Sequence, residues 1–202
     1  MNRMQKCLLT LAFVLPVQLG AQGLETLVEE CNSCHGPDGV SGHADVPTIA
    51  GQSAEYLARN LRVYQDWGRP CVKSAYRYGD TSRPHSDMCQ VTADLSDEQF
   101  DALASYYAAK DFQPAPQEFD AALAEVGAGL HEQHCENCHA EGGRAANRVP
   151  RLAGQWIPYL RKSLSYVPTG EHLVPRTMET TIAEFNAEEI DALMHFFASQ
   201  QD

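Results

Sequence analysis

The sequence lacks the features that mark a membrane protein, a β protein or a nucleic-acid-binding protein. After residue 20 no apolar run approaches the roughly 20 residues that a membrane-spanning helix needs. Runs of alternating β-branched residues are absent, and the apolar residues recur instead at helical spacing. Basic residues are scarce: 15 Lys and Arg stand against 27 Asp and Glu, and the formal net charge of -12 disfavours nucleic acid as a partner. The composition predicts an all-α globular protein.

The first 21 residues have the layout of a secretory signal peptide. Arg3 and Lys6 precede an apolar run that is too short to span a bilayer, and small residues follow it at Gly20 and Ala21. We expect cleavage after Ala21 and export to the periplasm. We also expect no membrane span in the mature chain.

The chain contains an internal duplication. The sequence C-N-S-C-H at 31–35 recurs as C-E-N-C-H at 135–139, displaced by 104 residues. The sequence V-P-T-I-A-G-Q at 46–52 recurs as V-P-R-L-A-G-Q at 149–155. Each of these segments leads into an apolar stripe at helical spacing, so the repeat extends beyond the motifs. The two halves are therefore predicted to share one fold.

Both halves end in a predicted amphipathic helix that starts at a capping box, in which two side chains satisfy free backbone donors. The boxes are Ser96 with Gln99 and Asn186 with Glu189. Between the halves, residues 110–117 hold two prolines and favour extended chain. We place the boundary there, which gives a signal peptide at 1–21, a first domain at 22–111 and a second domain at 112–202.

The two C-x-x-C-H motifs carry the strongest chemical signal. Two thiols at this spacing on one helical turn can bond the two vinyl groups of a haem, while the adjacent histidine reaches the iron. The motifs predict two covalently bound haem c groups. The residues concerned are Cys31, Cys34, His35, Cys135, Cys138 and His139. The alternatives are a tetrahedral zinc site and a thioredoxin-type disulfide, but the second close ligand pair that zinc requires and a βαβ pattern are both missing.

Two methionines occupy corresponding positions in the two halves of the repeat. Met88 lies seven residues before Leu95, at the start of the last helix of the first half, and Met178 lies seven residues before Phe185 in the second half. A thioether is a suitable sixth ligand for a haem that only transfers electrons. We therefore predict Met88 and Met178 as iron ligands, against the alternative that each is a core methionine filling a gap.

The duplication also suggests roles for the prolines and assigns none to the other histidines. The carbonyls of Pro47 and Pro150 are placed to accept the Nδ1 hydrogen of His35 and His139, a role compatible with a rigid turn. Six histidines have no duplicated counterpart, so surface or capping roles are expected. They are His43, His85, His131, His134, His172 and His195.

Besides Cys7 in the predicted signal peptide, two cysteines remain, Cys71 and Cys89. Cys71 lies in a 13-residue excess of the first half over the second, and Cys89 follows Met88 directly. We predict a disulfide that closes this insertion and holds the Met88 loop against its haem. The rival interpretation makes one of the two cysteines an iron ligand and gives a low-potential catalytic haem.

The duplicated motif, the P-x-[IL]-A-G-Q-x-x-x-Y-L segment and the distal methionines resemble the di-haem cytochromes of the cytochrome c4 family. The second half is more similar to the cytochrome subunit of flavocytochrome c sulfide dehydrogenase, through C-E-N-C-H-A-E-G-G at 135–143 and L-A-G-Q-W-I-P-Y-L at 152–160. The resemblance implies two class I cytochrome c folds related by a pseudo-twofold axis, with facing haems. It also implies His/Met ligation and an FAD-containing partner that oxidises sulfide and passes electrons to this chain.

The expected function is electron transfer without catalysis. No G-x-G-x-x-G fingerprint occurs, so the FAD would lie on another chain. Other cytochromes or a terminal oxidase are further possible partners, and a free-standing carrier to such an oxidase is the main alternative. A di-haem enzyme such as a thiosulfate dehydrogenase is the other alternative, and it would need an exchangeable or thiolate-ligated iron.

Overall fold

The computed structural model describes residues 21–201, and the fold within them is helical. In this part of the chain, β-type pairing is limited to one antiparallel bridge between Ser74 and Ser86. The predicted all-α class is confirmed. The helices are α1 (Ala21–His35), α2 (Ala54–Gln65), α3 (Met88–Thr92), α4 (Asp97–Ala108), α5 (Ala121–His134), α6 (Ala140–Gly143), α7 (Ile157–Ser165), α8 (Arg176–Glu184) and α9 (Ala187–Ser199).

The predicted signal peptide falls almost wholly outside the described residues. Residues 1–20 lie outside them, and Ala21 is the first residue of α1. Export and cleavage after Ala21 therefore stay predictions. Among the described helices, none combines the length and the apolar character that crossing a bilayer requires.

Each half packs around a core of its own. In the first half α1 and α2 pack against α4, and in the second half α5 and α7 pack against α9. The first core consists of Val28, Leu57, Ala58, Leu103, Ala104 and Tyr107. The second core consists of Ile157, Leu160, Leu193, Met194, Phe196, Phe197 and Ala198. The predicted apolar stripes on α2 and α7 supply Leu57 and Leu160 at corresponding positions.

The duplication extends to individual hydrogen bonds. The carbonyl of Gly39 accepts from the amides of residues 49 and 50, and the carbonyl of Gly143 accepts from those of residues 152 and 153. Both glycines have positive φ, +79° and +82°. A Cβ at Gly39 would lie 2.7 Å from the Tyr107 ring, and one at Gly143 would lie 2.9 Å from the Phe197 ring. Glycine is required at both positions because the loop after each motif passes directly over the last helix.

Both predicted capping boxes are present. At the start of α4, Ser96 accepts from the Gln99 amide and the Gln99 side chain accepts from the Ser96 amide. Asn186 and Glu189 form the same reciprocal pair at the start of α9. Residues 111–120 connect α4 to α5 without a helix, in agreement with their prolines. The exact domain limits stay predictions.

The crossing of α5 and α9 gives a stability test. A Cβ at Gly127 would collide with the Ala192 carbonyl and lie 2.8 Å from the Cβ of Phe196, whereas a Cβ at Gly129 meets nothing within 4 Å. We expect Gly127→Ala to lower the free energy of unfolding by about 1–3 kcal/mol through overpacking. Gly129→Ala, in the same helix, should raise it by up to about 1 kcal/mol through helix propensity. Denaturant unfolding of the haem-loaded protein measures both values, and equal effects would contradict the close helix crossing.

Candidate cofactor sites

The two C-x-x-C-H motifs occupy equivalent places in the two halves. The first forms the last turn of α1, which ends at His35. The second follows α5 as a turn, in which the His139 amide donates to the Cys135 carbonyl at 2.8 Å. The four motif cysteines are free thiols, and all but the exposed Cys138 are half-buried. Each motif therefore presents two free thiols next to a histidine.

The environment of the thiols argues against the two rival interpretations. Burial raises the pKa of Cys31 to about 12 and that of Cys135 to about 11. Thioredoxin-type exchange uses a thiolate, which such pKa values suppress at neutral pH. Within residues 21–201, three potential metal-ligand side chains converge only at Cys71, Asp87 and Cys89, away from either motif.

The motif histidines are buried, and burial lowers the pKa of both, so the imidazoles are neutral. His35 Nδ1 lies 2.9 Å from the Pro47 carbonyl, which confirms the predicted contact in the first half. A carbonyl can only accept, so it fixes the proton on Nδ1 and leaves the Nε2 lone pair free for a metal. His139 Nδ1 is buried without a hydrogen bond in the described part of the chain, and the Pro150 carbonyl offsets only part of the lowering of the His139 pKa by burial.

The first half holds its predicted sixth ligand in a covalently fixed loop. Cys71 and Cys89 form a disulfide with a Cα–Cα distance of 5.6 Å, which confirms the predicted pairing. Since both sulfurs are bonded to each other, neither is available as an iron thiolate. Met88 is half-buried at the first position of α3, and Asp87 caps that helix by accepting from the Gln90 amide at 2.9 Å.

The second half holds its methionine differently. Met178 is half-buried on α8, a helix that buries none of its residues. A groove of about 640 Å³ runs beside α8 between α7 and α9. Its apolar wall includes Leu164, Ile182, Phe185 and Ile190, but no motif residue lines it. Met178 does not line it either.

The expected surface or capping role is wrong for His131. Its side chain is only 2% exposed, with Nε2 2.9 Å from the His139 carbonyl and Nδ1 3.2 Å from the Glu136 carboxylate. The reason is that α5 turns this position inward, onto the motif that follows it. For His195 the capping role is confirmed, because Nδ1 accepts from the Asp120 amide at the N-terminus of α5.

Arg69, at the junction of the halves, was not anticipated from the sequence. It is only 6% exposed, and its guanidinium donates to Asn60 of the first half at 2.7 Å and to Ser163 of the second half at 3.0 Å. It also lies 5.0 Å from the centre of the Tyr64 ring. Its Nε is buried without a partner, and no ion pair within residues 21–201 involves it. A buried cation that lacks a carboxylate is costly, so the site is suited to an anionic group.

Two small helical domains, each with paired free thiols and a buried neutral histidine, define a haem protein of the c type. The comparisons with known proteins agree. The family described as Cytochrome c matches residues 21–108. A cytochrome c-554(548) of Halomonas halodenitrificans is 31% identical over 87 residues, which are 43% of this chain and 92% of that protein. The chain belongs to the cytochrome c family.

Longer relatives match as well. Cytochrome c4 of Azotobacter vinelandii is 28% identical over 145 residues, 67% of this chain and 66% of the relative, so the chain spans about two thirds of that protein's length. A thiosulfate dehydrogenase electron acceptor of Stutzerimonas stutzeri (strain A1501) is 34% identical over 84 residues, 42% of this chain and 34% of the relative. The cytochrome c4 structure of Acidithiobacillus ferrooxidans superimposes with a TM-score of 0.68 at 25% identity, covering 85% of this chain and 99% of that one. The tandem class I cytochrome c fold is thereby confirmed.

The residues present fit two covalently bound haem c groups, the cofactors that the family and the cytochrome c4 relatives imply. The thiols are free and paired, and the histidines are neutral. Haem also carries two propionate carboxylates, and the unpartnered Nε of Arg69 is a donor that suits such a carboxylate.

This fit predicts the effect of removing the Arg69 charge. A cation near a haem disfavours the oxidised iron, so Arg69→Met should lower the potential of at least one haem. At about 10 Å and an effective dielectric constant of about 20–80, a unit charge contributes roughly 0.4–1.7 kcal/mol, or about a 2- to 17-fold change in the oxidised-to-reduced ratio. Redox titration measures this shift. Arg59→Met, which removes an exposed arginine of α2, is the control and should leave both potentials in place.

Proposed function

We propose that this chain is a periplasmic di-haem c-type cytochrome that transfers electrons and catalyses no reaction itself. The observation that carries the proposal is the repeated site: each half joins two free thiols to a buried, neutral histidine. Bound haem c supplies one-electron oxidation and reduction. The chain then has to attach the group, orient the histidine and exclude water.

The proposed assignment gives each haem two thioether bonds and two axial ligands. Cys31, Cys34, Cys135 and Cys138 form the thioethers, His35 and His139 are the proximal ligands, and Met88 and Met178 are the distal ligands. An iron held on both sides has no open coordination position, which favours a carrier over an enzyme. The register that Met88 and Met178 share in the duplication supports this assignment.

Haem content and carbon monoxide binding test the proposal together. We expect protein matured in a host competent for cytochrome assembly to carry two haems by mass and by pyridine haemochrome spectrum. Its reduced form should not bind carbon monoxide at neutral pH. Colourless protein would refute the cofactor assignment, and ready carbon monoxide binding would favour an enzyme.

Within the same experiment, Met178→Ala should open the second haem to carbon monoxide. It should also lower that haem's potential by more than the about 59 mV that corresponds to a tenfold change for one electron, because a thioether favours reduced iron. The potential of the first haem and its failure to bind carbon monoxide should not change. Met194→Leu is the matched control, since Met194 is a core residue of α9 that is only 3% exposed. Unchanged potentials in Met178→Ala would show that Met178 is not a ligand.

For the partner, we propose an FAD-containing sulfide dehydrogenase subunit. The likeness of the second half to the cytochrome subunit of flavocytochrome c supports it. The acidic surface, with a formal net charge of -12, is suited to docking on a basic patch of a partner protein.

A thiosulfate dehydrogenase is the second candidate donor. Two relatives are named thiosulfate dehydrogenase electron acceptor, and the second of them, from Thiomonas intermedia (strain K12), is 30% identical over 145 residues, 66% of this chain and 60% of that protein. In this reading the chain accepts electrons from the enzyme and is not itself the enzyme. A free-standing carrier to a terminal oxidase shares the same haem sites.

Reduction kinetics separate these donors. We expect the flavoprotein with sulfide to reduce the oxidised chain at least about tenfold faster than thiosulfate dehydrogenase with thiosulfate, and the rate to fall as salt screens the docking charges. Stopped-flow absorbance of the haem bands measures both rates, with each enzyme lacking its substrate as control. Faster reduction by thiosulfate dehydrogenase would assign the chain to the second donor.

A further inference from the structure

The glutamines of the two A-G-Q segments exchange hydrogen bonds across the junction of the halves. Gln155 accepts from the Thr48 amide at 3.0 Å and donates to the Thr48 carbonyl at 2.9 Å. Gln52 accepts from the Arg151 amide at 2.9 Å and donates to the Arg151 carbonyl at 3.0 Å. Each side chain therefore clamps both backbone groups of one residue in the opposite half. Gln52 and Gln155 are 4% and 2% exposed, so water does not compete for these bonds.

The clamped residues directly follow the prolines that face the haem-ligand histidines. The Thr48 amide and the Pro47 carbonyl belong to one peptide group, and that carbonyl lies 2.9 Å from His35 Nδ1. A continuous relay thus runs from Gln155 in the second half, through one peptide bond, to His35 in the first. The peptide is a resonant unit, so a bond accepted from its N–H places more negative charge on its oxygen.

We propose that Gln155 and Gln52 are positioning residues, each of which polarises the peptide group that follows the proline at the haem-ligand histidine of the opposite half, and that Gln155 thereby sets the strength of the His35 hydrogen bond and the potential of the first-half haem. The proposal rests on the proposed function, because it takes His35 and His139 as iron ligands. It assigns to the junction of the halves a role in setting the haem potentials as well as in holding the halves together.

The sign of the effect follows from the relay. A more negative Pro47 oxygen draws the Nδ1 hydrogen of His35 more strongly and gives the imidazole more anionic character. An anionic ligand stabilises oxidised iron, so Gln155 lowers the potential of the first-half haem. The second relay, from Gln52 through the Pro150–Arg151 peptide, ends at a His139 Nδ1 that makes no hydrogen bond within the described residues. Its influence on the second-half haem is therefore the weaker one.

Other contacts across the junction provide matched controls. The Arg59 guanidinium donates to the Arg148 carbonyl at 2.6 Å, and the Trp156 indole donates to the Ser41 carbonyl at 3.0 Å. Neither contact touches the Pro47–Thr48 or the Pro150–Arg151 peptide. Loss of the Arg59 contact weakens the junction without disturbing either relay. It therefore separates an effect on the haem potentials from a general weakening of the contact between the halves.

The test compares haem-loaded Gln155→Met, Gln52→Met and Arg59→Met by redox titration, with the haems assigned through Met178→Ala. Gln155→Met should raise the first-half potential by the equivalent of a roughly two- to tenfold change in the reduced-to-oxidised ratio, tenfold being about 59 mV. It should leave the second-half potential in place. Gln52→Met should raise only the second-half potential, and by less, and Arg59→Met should move neither.

Proton NMR of the reduced protein supplies a readout that a merely structural role would not move. The Nδ1 hydrogen of His35 should shift upfield in Gln155→Met and stay in place in Arg59→Met, because its hydrogen bond weakens only in the former. Gln155→Glu keeps an acceptor for the Thr48 amide, so the first-half potential should not rise in that variant. Gln155→Glu also tests the proposal if Gln155→Met fails to fold.

Three results would overturn the proposal: unchanged potential and Nδ1 resonance of the first half in Gln155→Met, equal shifts of both haems, or the same shift in Arg59→Met. Failure of the proposed function looks different. In that case the parent protein carries no haem, or His35 does not ligate iron, and no variant needs to be compared.

Discussion

The contact between His35 Nδ1 and the Pro47 carbonyl, 2.9 Å long, is the interaction on which the site depends. It holds the ring in one tautomer, with the Nε2 lone pair free for a metal. The carbonyl is in place because the loop that carries it folds back on Gly39, whose positive φ permits close passage over Tyr107. The loop and the last helix thus pack as one unit, and this packing recurs in the second half with Gly143 and Phe197, where His139 Nδ1 makes no hydrogen bond among the described residues.

The junction of the halves contains buried polar groups. Its buried members include two glutamines and Arg69, and each glutamine is satisfied by backbone groups of the opposite half. Two bonds per glutamine fix distance and direction together, which apolar contact does not. Arg69 contacts both halves and keeps one donor unpartnered. The junction is therefore arranged around charge and hydrogen bonding.

The sequence allowed the repeated parts of the structure to be predicted. Both capping boxes, the helical class and the Cys71–Cys89 pairing followed from residue types and spacing, because each depends on local chemistry or on cysteine number. The hydrogen bonds of the two glutamines and the position of Arg69 were not predicted, because both depend on how the halves meet. The A-G-Q sequence taken alone predicts only a turn. His131 has no duplicated counterpart, so a surface or capping role is expected from the sequence, but α5 turns this side chain inward, onto the motif that follows the helix. The roles of Met88 and Met178 stay predictions.

The two halves differ most in how they hold the proposed distal ligand. Met88 begins a helix that is capped by Asp87 and anchored through the neighbouring Cys89 to Cys71, so its backbone cannot move without straining a covalent loop. Met178 lies on α8, which buries none of its residues and has no covalent anchor among the described residues. A segment with little buried surface opens at low free-energy cost. The proposed methionine ligand is thus held rigidly in the first half and loosely in the second. Any exchange of a proposed methionine ligand would therefore begin at the second haem.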